Sequence, residues 1–186
     1  MEDIFKGSDK YFKKKERSLT MFEVDEYVVH IRNGVCKIKD IGTLEMDVVE
    51  NDRLYYTLEP IYFKASTVYI PVDNEVLIAR KIISKEEAKE LLQKIPSIEQ
   101  VEIENDKARE AMYGELIKKC DCSGWVKVIK TLYHRKEERL NQGKKISPTE
   151  DKYLRTVEDY LFGELAIVLG LEKEEVEEMV LEKRGA

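Results

Sequence analysis

The chain has 186 residues, 42% of them hydrophobic and 38% charged, which excludes a disordered chain and leaves one domain or two small ones with strongly solvated faces. No apolar run nears the ~20 residues that span a bilayer, and no signal-peptide pattern occurs. The three cysteines are an odd set, so a reducing cytoplasm is the expected home.

The net charge of −6 is unevenly spread. Residues 1–20 carry six basic and four acidic groups, and residues 21–126 fourteen against twenty-one. Residues 127–157 carry nine against four, net +5, and residues 158–186 three against nine. A partner senses charge over about a Debye length, ~8–10 Å, so the local surplus matters more than the total.

Residues 1–20 lack a sustained apolar period and are expected to be a basic, weakly ordered extension before Met21. From Phe22 to about Arg80 the texture is β: "EYVVHI", "GVCKIKDI", "RLYYTLEPIYF" and "STVYIPV", parted by turn residues. Asn33-Gly34 predicts a hairpin with a type I′ turn. Four or five strands in about 60 residues predict a small bent barrel of Tudor or SH3 type. Pro71 is expected at a strand end or edge.

Beyond Ile82 the chain reads as helical, so the expected architecture is α+β, a small β-barrel domain followed by a compact all-α domain. Ser84 and Glu87 form a capping-box signature for a helix that runs to Pro96. Asn105 to about Lys119 predicts a second helix, weakened by Gly114. "DCSG" reads as a break before a helix opened by Trp125, with Val128, Ile129, Leu132 and Tyr133 on its apolar face and Gly143 as its stop. Ser147, Pro148 and Glu150 are three coincident start signals. The helix they open carries Tyr153, Leu154, Val157, Leu161, Leu165 and Val168 inward. Gly170 ends it, and a short acidic helix follows.

Chemistry has few footholds. His30 and His134 are the only histidines and have no ligand spacing. Cys120 and Cys122 lack the second half of a zinc site, and Cys36 reads as a buried apolar group. No phosphate loop or nucleophile elbow appears. No enzyme, metal or cofactor is expected. The basic segment stands out instead: Lys127, Lys130, Arg135, Lys136, Arg139, Lys144 and Lys145 precede the helix start at Ser147, with Lys152 and Arg155 just inside. It reads either as a solvated face or as a weak, salt-dependent phosphate surface beside a helix N-terminus.

The order "YVVHIRNGVCKIKDI", "YYTLEP", "TVYIPVDN", "ARKIIS" and "ISPTEDKYLRTVEDYLFGELA" resembles the CarD/CdnL family of bacterial transcription regulators, from Met21 to about Leu169. The resemblance implies a Tudor-like domain over 21–82 that docks on the RNA polymerase β subunit. It also implies a helical domain over 83–186 that contacts promoter DNA near the −10 element and modulates open-complex stability. Relatives wedge a tryptophan into the minor groove at a position that is Asp106 here, and use basic residues against polymerase where Leu44 and Tyr69 fall. The expected polymerase contacts are Leu44, Tyr69 and Ile70. The expected DNA contacts are Lys107, Arg109, Arg135, Arg139, Lys144, Lys145 and Lys152. A monomer without membrane contact is expected, and the rival reading is a protein-interaction adaptor that never touches DNA.

Overall fold

The computed structural model describes residues 22–44, 53–62, 67–73, 79–103 and 105–184; the basic extension of residues 1–20 lies outside them. The chain divides into two compact units, Met1–Val28 with Cys36–Leu77 and Val29–Val35 with Ile78–Ala186.

Five strands are present among the described residues: β1 (Tyr27–His30), β2 (Gly34–Thr43), β3 (Leu54–Pro60), β4 (Val68–Pro71) and β5 (Ala79–Lys81). They form one curled antiparallel sheet in the order β4-β3-β2-β1-β5, a half-barrel of the expected Tudor-like kind. In the first unit the register sets Ile38 opposite Leu58 and Tyr56 opposite Ile70. All four side chains are buried, with Phe22 and Val28 beside them in the core. The Phe22 and Tyr56 rings meet at 5.4 Å, and the Tyr56 hydroxyl accepts the Phe22 N–H at 3.2 Å. The ladder slips between Ile38 and Asp40, a bulge that bends β2 and helps the sheet curl. Pro71 closes the edge strand β4, as expected.

The first hairpin forms, but its turn is not type I′. The loop is Ile31–Asn33, closed by the Asn33 N–H on the His30 carbonyl at 3.2 Å. Asn33 keeps an ordinary negative φ and Gly34 alone turns left-handed, at φ +64°. That is a turn over His30–Asn33 followed by an αL glycine at the head of β2. Packing also requires the glycine, because a Cβ on Gly34 would sit 2.8 Å from Cδ1 of Tyr160.

The second unit holds five helices among the described residues: α1 (Lys85–Lys94), α2 (Asp106–Lys118), α3 (Cys122–Asn141), α4 (Pro148–Leu169) and α5 (Lys173–Arg184). The capping box of Ser84 and Glu87 opens α1, and Asn105 caps α2. Helix α3 starts three residues before Trp125. The Asp121 carboxylate accepts the Gly124 N–H at 2.8 Å and caps the helix, so Ser123 and Gly124 lie in its first turn rather than in a break. Trp125, Ile129 and Leu132 of α3 and Leu161, Phe162 and Leu165 of α4 are all sealed from solvent, and the two helices pack on each other. The Lys130 ammonium is buried too. It donates to the Ile95 and Pro96 carbonyls at 3.0 Å each, satisfying acceptors that the end of α1 leaves open.

Helix α4 runs through the middle of this unit, and every residue from Tyr160 to Ala166 is buried. Among them is Glu164, with no exposed surface. Arg80 donates to it from both terminal nitrogens, at 2.6 and 2.8 Å. The Ile83 N–H reaches the same carboxylate at 2.9 Å, and the Cys122 thiol at 3.3 Å. Arg80 also donates to the Cys120 carbonyl and covers the Trp125 ring at 5.4 Å. The charge is thereby matched from several directions, which a buried carboxylate requires. Arg80→Ala should cost about 3–5 kcal/mol by leaving that carboxylate unpaired. Arg155→Ala, which breaks an exposed pair with Asp151, should cost under about 0.5 kcal/mol. Urea unfolding of the two variants checks the contrast.

Candidate nucleic-acid interface

The basic corner is built from the first turn of α2, the last two turns of α3 and the start of α4. Helix α3 stops in a tight cap: the Gly143 N–H donates to the Leu140 carbonyl at 2.9 Å and the Lys144 N–H to that of Arg139 at 2.8 Å. Gly143 takes φ +69°, the left-handed residue of a Schellman motif. Four residues later the Ser147 box starts α4: the Ser147 hydroxyl accepts the Glu150 N–H at 3.1 Å and Glu150 reaches back to the Ser147 N–H at 3.3 Å. The anion favoured by this helix N-terminus is thus the protein's own carboxylate.

Glu150 is buried, at 4% exposure, and organises the corner. Its Oε1 accepts Nε of Arg135 at 2.6 Å, and Nε of Arg139 lies 3.8 Å from its Oε2. Burial alone would raise the Glu150 pKa, but Arg135 and Ser147 outweigh it and hold the carboxyl below its ordinary value. A second carboxylate, Asp106, sits exposed at the first residue of α2. Its Oδ1 accepts Arg109 at 2.7 Å and Arg135 at 3.4 Å. Arg109 is buried and donates as well to the Ile103 carbonyl at 3.1 Å. The first residue of α2 is therefore an acid that ties two arginines together. Trp125 is in the core, its ring against Tyr160 at 5.6 Å.

The seven residues expected at DNA separate into two sets. Arg109, Arg135 and Arg139 are engaged by Asp106 and Glu150. Lys107, Lys144, Lys145 and Lys152 are exposed and form no ion pair among the described residues; Lys144 only touches Gln142 Oε1, at 3.3 Å. In the first unit, β4 is an edge strand of the sheet among the described residues. Tyr69 stands 41% exposed on it, Ile70 points into the core at 5%, and Leu44 is half-buried just past β2. Val24, Ile61 and Tyr62 are further exposed apolar groups of this unit.

Comparison with known proteins gives the whole a context. Residues 22–83 match the CarD-like/TRCF RID domain, and residues 87–181 match the CarD C-terminal domain. The chain belongs to the CarD family. CarD-like proteins are non-catalytic transcription regulators that interact with RNA polymerase. No curated protein in the comparison matches the chain. No helix among the described residues is long and apolar enough to cross a membrane, and no group of three side chains able to hold a metal occurs among them. The three cysteines are free and buried, and burial pushes the thiols of Cys36 and Cys120 up to about 12 and about 11, out of the reactive range.

Two features of the site escaped the sequence reading. Asp106 lies at the head of a predicted helix, with nothing in the sequence to announce its arginine partners. Glu150 was legible as a cap residue, but not as the partner of Arg135, fifteen positions back. Its depressed pKa gives stability present above the ordinary value of 4.5 and lost as pH falls through the lower folded-state value. Glu150→Gln retains capping-box chemistry and removes the charge. The stability gap between wild type and this variant should therefore be full at neutral pH and close below pH 4.5. Thermal unfolding followed across that range measures it.

Proposed function

We propose that this CarD-family chain docks on the RNA polymerase β subunit through a Tudor-like domain spanning residues 21–82. A helical domain over 83–186 then contacts promoter DNA near the −10 element and modulates the stability of the open complex. It acts in the cytoplasm as a monomer, without catalysis, cofactor or membrane contact. The observation that carries the reading is the two family matches, in order, on a chain whose second unit has at one corner exposed lysines that form no ion pair among the described residues.

The DNA contacts in this reading are made first by Lys107, Lys144, Lys145 and Lys152. Arg109, Arg135 and Arg139 act behind them, since their guanidinium groups already serve Asp106 and Glu150 and keep the corner positive and rigid. A few phosphate contacts give weak binding with a salt slope near −0.9 per contact. Polymerase docking would supply the effective concentration that such a contact lacks. On the docking side, the outer edge of β4 suits strand addition, with Tyr69 exposed beside it, Ile70 holding the strand to its own core and Leu44 flanking. The adaptor reading, in which both domains grip protein, differs in one measurable respect. It predicts no salt-dependent affinity for DNA.

Two measurements test the proposal. Lys144→Ala with Lys145→Ala should flatten the log-affinity against log-salt slope for promoter DNA by about two; an unchanged slope, or binding indifferent to salt, favours the adaptor. Tyr69→Glu in the full chain should weaken capture of the polymerase β subunit about tenfold or more through loss of an exposed aromatic contact, leaving DNA binding by the isolated protein intact.

A further inference from the structure

We infer that Arg109 and Arg135 form a phosphate seat that the chain keeps closed with its own Asp106 carboxylate, and that a phosphate of bound DNA takes the place of that carboxylate. The seat rests on the DNA-contact reading above and gives that contact a gate.

The two guanidinium groups meet at one exposed oxygen. Nη2 of Arg109 donates to Oδ1 of Asp106 at 2.7 Å, and Nη2 of Arg135 reaches the same atom at 3.4 Å. Both arginines are fixed from behind through Nε, Arg109 on the Ile103 carbonyl at 3.1 Å and Arg135 on Glu150 at 2.6 Å. The Arg109 side chain is only 5% exposed, whereas that of Asp106 is 72% exposed. The seat is thus set into the protein while its occupant faces solvent. Guanidinium groups held so that they converge on one oxygen suit an oxyanion, and their fork matches phosphate as well as carboxylate.

The occupant is dispensable to the helix that carries it. Asn105 already caps α2, its side chain accepting the Ala108 N–H at 3.0 Å. Glu150, by contrast, is buried and caps α4. Ion pairs to so exposed a carboxylate are weak, so Asp106 is open to exchange. Two further observations favour an anion at this place. Arg109, Arg135 and Arg139 outnumber their partners Asp106 and Glu150. The Tyr113 hydroxyl is buried with no hydrogen-bond partner among the described residues, and the charges of Arg109 and Arg135 reach it. An unmet buried hydroxyl is uncommon. A phosphodiester carries the same single charge as the carboxylate it replaces, and Lys107 stands exposed at the next position. Because only the open seat accepts phosphate, the closed form lowers the apparent affinity.

The test uses the full chain, with a promoter duplex in one arm and inorganic phosphate in the other. Asp106→Asn should tighten duplex binding about 3- to 10-fold and steepen the log-affinity against log-salt slope by about one. Asp151→Asn removes another acid of the same corner and should change the affinity by less than about twofold. Arg135→Lys, which keeps the charge and loses the fork, should erase the gain from Asp106→Asn. In nitrogen–proton spectra of the arginine side chains, inorganic phosphate should shift Arg109 and Arg135 of Asp106→Asn at concentrations that leave wild type unshifted. Asp106 is exposed, so the variant should keep the wild-type circular dichroism. Equal gains from Asp106→Asn and Asp151→Asn would overturn the seat in favour of a general field, and so would the lack of phosphate shifts in Asp106→Asn. No gain from Asp106→Asn, while wild type still binds DNA, would overturn the gate and leave the DNA reading intact. Phosphate shifts in a chain that binds no duplex, at low salt and with polymerase present, would assign the seat to a free phosphate and overturn the gate together with the reading beneath it.

Discussion

The helical unit depends on one carboxylate. Glu164 sits on the most buried stretch of α4, where an unpaired charge would cost several kcal/mol, and four donors converge on it. Because two of those donors come from Arg80 and one from the Ile83 backbone, the segment before α1 is held against α4. Because another is Cys122, the first turn of α3 is held as well. The cation over Trp125 is the same Arg80, so the aromatic core and the ionic centre share a residue. Disturbing any one of these groups changes the solvation of the others.

Glu150 repeats the device nearer the surface and with a different result. Glu164 consumes its arginine in holding the fold, whereas Glu150 gathers Arg135 and Arg139 while capping its own helix. Asp106 extends the set to Arg109. Three acids, counting Asp151 with Arg155, are therefore spent inside the basic corner. The lysines left over define its outward charge, so the corner's net charge is read from its unpaired groups rather than from its composition.

Local signals were the legible part of this sequence. Ser84, Asn105, Ser147 and Gly170 announce helix ends by chemistry that acts within three or four residues, and each is where the structure begins or ends a helix. The β texture of 22–80 was legible for the same reason, through alternation of Ile38, Leu58 and Ile70 with polar neighbours. What failed was set by distant partners. The space that Gly34 leaves open is filled by Tyr160, and the pairing of Arg80 with Glu164 spans eighty-four positions. Asp121 is a local signal that went unread, because the glycine at 124 suggested a break where the cap only needed its N–H. At the candidate site, composition marks out the basic stretch, but only the geometry separates Lys144 and Lys145 from arginines already engaged.

The outer edge of β4 has a consequence for solubility. An unpaired strand edge templates any other strand that meets it, including one from another copy of the chain. Here that edge is four residues long and ends in Pro71, which has no N–H to donate. Few ladder bonds can form before the proline interrupts them, so backbone pairing alone would hold a second strand weakly. An incoming chain must bring side-chain complementarity to stay, which turns a general aggregation hazard into a means of choosing among strands.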